Sequence, residues 1–531
     1  MLFHSASERF PLSGRAVALL CLGYLLFGLI GHDPWKTDDV LNISLAQGFR
    51  DGNWLIPALA GEPSPGTFPL YHWIAALLAK IFGPVLPWHE AARLASGLFS
   101  GLGLYALYLA ARGFYGRDAG LLAPLLAVGS LGFLLPSHEA QPALVSFLAT
   151  ALLLAALGNW KANRTLASAS LGISLGIGFL GAGLGILILL CVTALAAITH
   201  PRWRRASGRN WGYVLLVALP IILLWPTALF LLREPDFDSW WATAYSLLMD
   251  VPPISARRFE TLGWATWPVL PLGLWAIWLQ RNRLLAGQNY MPFAAGLFAF
   301  IFFLRSTNLT DGLLPLIATL SLLGSAGAGN LRRGAANAFD WFGGMTLSLF
   351  MGLIWLGGIA ILTGLPARVA KNFTKPAPGF IPEWSWPALV IAVVVTLIWL
   401  GMIFSMPRSP WRATLRWSLG IIALWILLTT LWLPWIEYGK SYRSTSADFR
   451  RVLGNNPGCI ERQGLGPAQR ASLDYFDGIR TVPATATKNC PYWLLQTTPR
   501  AAKEIDGWNL VLYTARPGDK NESLRLYRQR D

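Results

Sequence analysis

The stretch GHDPWKTDDVLN, residues 31–42, gathers Asp33, Lys36, Asp38 and Asp39. Charged residues make up only 13% of this chain, against about a quarter in soluble proteins. A carboxylate at the mouth of a membrane cavity can take a proton from an acceptor hydroxyl, as a general base does. Adjacent residues on a helix point in different directions, so at most one of Asp38 and Asp39 can do so. The competing reading is a helix cap beside a solvated acid. A second polar gap, PSHEAQP, carries His138 and Glu139. It reads either as a turn between apolar runs or as a second group facing the same cavity. A third segment, 233–262, holds Arg257 and Arg258 in ISARRFETLGW. These suit anionic headgroups or a phosphate leaving group, which a guanidinium can bind with two bonds. Lys36 carries the same two readings. Ligand spacing of the HExxH kind is absent. The residues require no cofactor, and a divalent metal is left open.

These groups must be positioned by apolar elements. Of 531 residues 54% are hydrophobic, mean hydropathy is +0.46, and many runs reach the ~17–25 residues that cross a bilayer as a helix. The chain reads as an α-helical polytopic membrane protein, its 26 Trp and 14 Tyr suiting interfacial belts. The net charge of +16 sits in short gaps between apolar runs, a topology signal rather than a nucleic-acid footprint. No nucleic-acid partner is expected. The run AVALLCLGYLLFGLIG lacks a cleavage site and reads as a retained helix.

Thirteen spans are expected, at 16–31, 90–112, 118–136, 141–159, 167–181, 183–199, 212–232, 264–280, 291–305, 309–328, 342–364, 385–405 and 415–435. Basic residues then collect on one side. They are Arg9 and Arg15; Arg112 and Arg117; Lys161 and Arg164; Arg202, Arg204, Arg205 and Arg209; Arg281 and Arg283; Arg332 and Arg333; Arg408, Arg412 and Arg416. By the positive-inside rule that side, with the N-terminus, is cytoplasmic. The pattern holds only if 70–86, YHWIAALLAKIFGPVLP, lies on the outer surface as an amphipathic helix. Segments 32–89, 233–262 and 436–531 then face outward with the C-terminus, as does a smaller loop at 365–384. The chain divides into a membrane part, 1–435, and a soluble α/β part, 436–531.

Within the first outer segment TDDVLNISLAQGFRDGNW reads as a short helix capped by Thr37 or Asp38, with Val40, Ile43 and Phe49 as a membrane-facing stripe. GEPSPGTFP reads as an irregular loop. In the C-terminal part STSADFRRVLG and GPAQRASLDYFDGI read as helices, and YWLLQTT, WNLVLYTAR and SLRLYRQ as strands. Cys21 and Cys191 fall inside apolar runs. Cys459 and Cys490, if outside the cytoplasm, can pair across a loop of about 30 residues.

The segment TDDVLNISLAQGFRDGNWLIPALAGEP…FPLYHWIAALLAKIFG resembles the first outer loop of the bacterial aminoarabinose transferase family, relatives of the protein O-mannosyltransferases. Asp38-Asp39, Gly52-Asn53-Trp54, Pro57 to Gly61, Pro69 to Trp73 and Phe82-Gly83 stand at the places of that family's acid pair, GDW, P.L.G, KPPLYYW and FG. Arg93 matches a following arginine. Two positions depart: Thr67-Phe68 replace Lys-Pro, and Glu139 is the nearest acid to one usual in the second outer gap. The resemblance implies the C-type glycosyltransferase fold in 1–435 and an inverting transfer outside the bacterial inner membrane. The donor would be a polyprenyl-phosphate-linked sugar, the acceptor lipid A, a glycan or a protein, and membrane lipids the surroundings. It implies Asp38 as base. Asp39 and Glu139 join it as catalytic candidates, and Lys36, Tyr71, His72, His138, Arg257 and Arg258 as substrate contacts. A transporter or flippase of lipid-linked sugars would need charge deep within its spans, and these spans have almost none. A non-catalytic membrane scaffold is the remaining alternative.

Overall fold

The computed structural model describes residues 10–530 apart from 52–53, 205–207, 455–457, 485–489 and 499–504. Arg9, Arg205, Gly52 and Asn53 therefore lie outside the described residues. The chain opens with α1 (Gly14–Leu26), α2 (Asp38–Gly48), the small β1–β2 hairpin (Ala58–Leu59, Glu62–Pro63) and α3 (Leu70–Phe82). The bundle continues through α4 (Trp88–Tyr115), α5 (Arg117–Val128), α6 (Leu131–Leu134), α7 (Ala143–Gly158), α8 (Arg164–Thr199), α9 (Pro201–Arg204) and α10 (Gly208–Leu232). Then come α11 (Glu234–Met249), α12 (Ala256–Ala265), α13 (Val269–Leu279), α14 (Tyr290–Arg305), α15 (Leu309–Gly327), α16 (Arg333–Thr363), α17 (Ala367–Thr374), α18 (Trp386–Ser405) and α19 (Arg412–Lys440).

Among the described residues, seven helices are long and apolar enough to cross a bilayer: α4, α8, α10, α15, α16, α18 and α19. The pair α12–α13, bent by 84°, is apolar enough to add an eighth when taken as one broken span. Shorter apolar helices fill α1, α3, α7 and α14. The helix α8 is two helices in fact. At Gly183, φ 81° and ψ −157°, the backbone leaves the helical region, a conformation glycine adopts without a Cβ clash. Past it the chain turns back. A Cβ on Gly178 would stand 2.5 Å from Leu190 Cδ1, whereas twelve residues of straight helix span about 18 Å. Each of the thirteen intervals read from the sequence thus holds a helix or part of one.

The main core lies where α4, α5, α7 and α15 meet, with Leu107, Leu122, Leu144 and Ile317 fully buried. Around it, exposed Leu, Val and Phe side chains cover the outward faces of α10, α16 and α18. That arrangement suits hydrocarbon rather than water.

The C-terminal part is a separate small α/β unit. Strands β3 (Ile460–Gln463), β4 (Val482–Pro483), β5 (Tyr492–Thr497), β6 (Trp508–Thr514) and β7 (Ser523–Gln529) form one sheet in the order β4-β3-β5-β7-β6. Its first two pairings are parallel and the last two antiparallel, with Leu494 opposite Leu526. Helices α20 (Arg443–Leu453) and α21 (Pro467–Asp477) close the face over Phe449, Ile460 and Leu473. Gly454 and Gly478, both at positive φ, end these helices. Cys459 and Cys490 are joined by a disulfide, their Cα atoms 5.1 Å apart.

Several local expectations need correction. Val40, Ile43 and Phe49 are fully buried rather than facing the membrane. The reason is α21: Val40 packs with Leu59 against Ala468 and Ala471, while Ile43 joins the main core. Thr37 precedes α2 but makes no side-chain cap. The 233–262 segment is mostly helical, forming α11 and α12.

Candidate active site

The two opening acids have opposite fates. Asp39 is completely buried against Arg93 of α4, which is also completely buried. Arg93 Nη2 donates to Asp39 Oδ2 at 2.8 Å and Nε to Oδ1 at 3.1 Å. Two backbone amides complete the set: Trp35 N donates to Oδ2 at 3.0 Å, and Ala140 N to Oδ1 at 2.7 Å. Burial by itself would raise this carboxyl, but the Arg93 guanidinium outweighs it and holds Asp39 below its ordinary value. The rest of the Arg93 fork donates to the carbonyls of Leu29, His32 and Asp33. One buried pair therefore fastens the start of α2, the loop before it and the 137–140 gap to α4. Asp39 has no lone pair left for chemistry.

Asp38, one residue earlier, is half-buried. Among the described residues its one side-chain bond comes from Gln141 Nε2, at 3.3 Å to Oδ2. Its backbone is fixed from below. Asn42 Nδ2 donates to the carbonyls of Asp38 and Ala140, both at 2.9 Å, and Asn42 Oδ1 accepts from His72 Nε2 at 3.0 Å. His72 on α3 thus acts through Asn42 to hold Asp38 beside the 137–140 gap.

Glu139 lies in that gap, half-buried. Burial, reinforced by the negative charge of Asp39, pushes its carboxyl up to about 7. Two residues that sequence reasoning missed belong to the same neighbourhood. Lys440, in the last turn of α19, interacts electrostatically with Glu139. It stands 4.8 Å from the centre of the Trp35 ring. Asp311, in the first turn of α15, feels the charge of Asp38. Their signals in the sequence were faint: Lys440 lies five residues beyond the last expected span, and Asp311 falls at the start of the span 309–328. Among the described residues no three His, Cys, Asp or Glu side chains gather as a metal site.

Five other candidates are spent on the framework or lie apart from this group. Lys36 pairs with Glu522 of the C-terminal unit, a carboxylate also held by Tyr442 and Gln469. Tyr71 is buried with its hydroxyl 2.7 Å from Ser96 Oγ. His138 is buried between the Leu134 and Tyr24 carbonyls, at 2.6 and 2.8 Å, with its ring against Trp425. Arg258 is buried and caps the end of α14, donating to the carbonyls of Phe303 and Ser306 at 2.9 and 2.7 Å. Arg257 beside it is exposed. These side chains were expected at the substrate. Once the chain folds, a carboxylate claims Lys36, a serine hydroxyl Tyr71, and backbone carbonyls His138 and Arg258.

Comparisons with known proteins agree with this architecture. Residues 63–230 match the family described as dolichyl-phosphate-mannose-protein mannosyltransferase. Over 250 residues the chain is 29% identical to undecaprenyl phosphate-alpha-4-amino-4-deoxy-L-arabinose arabinosyl transferase 2 of Pseudomonas fluorescens, covering 44% of this chain and 41% of that protein. The corresponding transferase 1 of Sodalis glossinidius is 24% identical over 492 residues, 84% of this chain and 82% of that one. Among solved structures, ArnT from Cupriavidus metallidurans bound to undecaprenyl phosphate superposes with a TM-score of 0.69 at 15% identity. That superposition covers 96% of this chain and 97% of ArnT. The fold is thus that of the C-type membrane glycosyltransferases, carrying a small C-terminal sheet domain. In fold, and over nearly its whole length, the chain is similar to ArnT.

Proposed function

We propose that the chain is an inverting glycosyltransferase of the inner membrane. It moves a sugar from a polyprenyl-phosphate donor to an acceptor on lipid A, a glycan or a protein at the outer face. The names of its relatives support the donor class and fit a pentose. The observation that carries the catalytic assignment is the division of labour between the acids. Asp39 is saturated by four hydrogen bonds, while Asp38 keeps free lone pairs beside Glu139, Gln141 and Asp311.

In this reading Asp38 accepts the proton of the acceptor hydroxyl as its oxygen attacks the anomeric carbon. The bond from that carbon to the phosphate oxygen breaks on the opposite face, which inverts the centre. Polyprenyl phosphate leaves with the electron pair. Lys440, unpaired with any carboxylate at salt-bridge distance among the described residues, is the cation we assign to the phosphate charge that develops. The thirteen intervals all cross the membrane, with the N-terminus cytoplasmic and the C-terminal domain periplasmic. The one-sided basic gaps support this orientation.

The test supplies purified protein with a radiolabelled polyprenyl-phosphate sugar and a lipid A acceptor. Wild type transfers the label, and Asp38→Asn lowers transfer by roughly 10²–10⁴-fold. No transfer by wild type from any such donor would overturn the reading.

A further inference from the structure

Away from Asp38, the far end of α2 borders an open groove. One lobe, a cavity of about 330 Å³, is lined by Gln47, Arg50, Trp88, His89, Arg443 and Tyr475 among others. A second lobe of about 230 Å³ shares Gln47 and Arg50 and reaches Asp474 and Arg480. The groove is the seam between three parts of the molecule: the first outer loop, the start of α4, and α20–α21 of the C-terminal domain. From Asp38 to Gly48 the helix rises about 15 Å, so this is not where the transferred sugar reacts.

The charges in the groove do not cancel. Arg443 is bound to Asp33 and Arg480 to Asp474. Arg50 is exposed and has no carboxylate within salt-bridge distance among the described residues. Its guanidinium instead lies 5.9 Å from the Trp88 ring centre. Among the described residues Arg443 Nη1 has no hydrogen-bond partner, and the guanidinium lies 4.9 Å from the Phe476 ring. Hydroxyl and imidazole groups add further polarity, Tyr475 Oη lying 2.8 Å from His89 Nδ1. Two guanidiniums beside aromatic rings fit a phosphate carried on an organic group. The neighbouring surface says how that phosphate is carried. Three residues before Trp88 the chain presents Val85, 83% exposed, next to Ile81 and Phe82, also exposed. An apolar knob directly beside a cationic groove matches a lipid whose chains meet the knob and whose headgroup enters the groove.

We propose that this groove binds the phosphate-bearing headgroup of a membrane lipid, at a site separate from the transfer centre. Arg50 supplies the unmatched charge, and the bound headgroup bridges the membrane part to the C-terminal domain. The site stands whether or not the transfer reading holds.

The experiment titrates full-length protein in a neutral detergent with dihexanoyl phosphatidic acid, dihexanoylglycerol and inorganic phosphate, following binding by calorimetry. Dihexanoyl phosphatidic acid should bind at least tenfold more tightly than either of the others. Arg50→Ala should lose at least tenfold in that affinity, and Arg50→Lys, which keeps the charge but not the planar fork over Trp88, should fall between Arg50→Ala and wild type. Lys440→Gln, which alters the transfer centre, should leave the affinity unchanged. Equal affinity of Arg50→Ala and wild type overturns the site. Loss in Lys440→Gln but not in Arg50→Ala places the probe at the transfer centre and also overturns it. Inorganic phosphate binding as tightly as the lipid overturns the lipid source, leaving a free-phosphate site.

Discussion

Substituting Asp38 and Asp39 one at a time should separate stability from chemistry. Both members of the Asp39–Arg93 pair are completely buried. Asp39→Asn removes the negative charge and turns an amide NH₂ toward a guanidinium that has only donors to offer. An unpaired buried charge costs about 3–5 kcal/mol. Taking about 2.1 cal/mol/K of unfolding entropy per residue over the 531 residues, the unfolding midpoint should fall by roughly 3–5 °C. Asp38→Asn loses no such partner, because among the described residues its only side-chain bond comes from an amide, Gln141. Its stability should stay within about 0.5 kcal/mol of wild type, while transfer falls by roughly 10²–10⁴-fold. The assay is a fluorescence-detected thermal scan in detergent, run beside single-turnover transfer on the same preparation. Arg93→Met should resemble Asp39→Asn, and Arg93→Met with Asp39→Leu should recover part of the loss because no charge remains stranded. An Asp39→Asn protein as stable as wild type, combined with an active Asp38→Asn protein, would refute the division of labour.

The other predictions concern separate groups. Glu139, ordinarily near 4.5 and raised to about 7, favours the folded state while protonated; that stability is complete below about 4.5 and lost as pH rises through about 7. Glu139→Gln should therefore raise the unfolding midpoint at pH 8 and leave it almost unchanged at pH 4.5, and equal shifts at both values would refute the assignment. Lys440→Gln should weaken binding of undecaprenyl phosphate by roughly 10–100-fold, the worth of one charge-assisted hydrogen bond, and binding equal to wild type would exclude it as the phosphate cation. The Cys459–Cys490 disulfide closes a loop of sequence separation 31 and should contribute about 3–4 kcal/mol; complete alkylation of both thiols without reductant would contradict it. A reporter active only in the cytoplasm should be silent when fused to the C-terminus, and an active fusion would invert the proposed topology.

Much of the bundle was legible because its signal is local. Apolar runs bounded by arginines mark helices whatever packs against them, and the Gly183 break stood out as a gap between 181 and 183. The strands at 492–497, 508–514 and 523–529 carry enough alternation to be read directly. The remaining strands β3 and β4, which pair in parallel with each other and through β3 with β5, have four and two residues and are too short to show a period. Long-range pairing hid the rest. Nothing near Asp39 in the sequence announces that an arginine 54 positions away will consume it. Val40, Ile43 and Phe49 have the spacing of a lipid-facing stripe, but spacing cannot tell lipid from a domain folded back over the helix. The same limit affected Lys36 and Arg258, cations whose partners lie in other segments.

The tie between the first outer loop and the C-terminal domain gives that domain a place in the site's physics. Asp33 accepts from Arg443 and from Ser441 Oγ, the latter at 2.8 Å. Lys36 reaches Glu522. Glu62 binds Arg462 through two bonds of 2.7 and 3.0 Å and also meets Arg470. Ion pairs on an open surface contribute little, about 0–1 kcal/mol each. Here, however, the carboxylates of Asp33 and Glu522 are almost fully buried, and separating them from their partners would leave charge stranded in poor solvent. Val40 and Leu59, packed against α21, would lose their cover at the same time. Asp33 and Lys36 immediately precede Asp38, and Val40 follows it by two residues. The domain therefore grips the chain on both sides of the proposed base. Arg93 fixes the start of α2 from the membrane side, and the C-terminal domain fixes it from the opposite side. A carboxylate that must meet an acceptor hydroxyl within a few tenths of an ångström needs both supports.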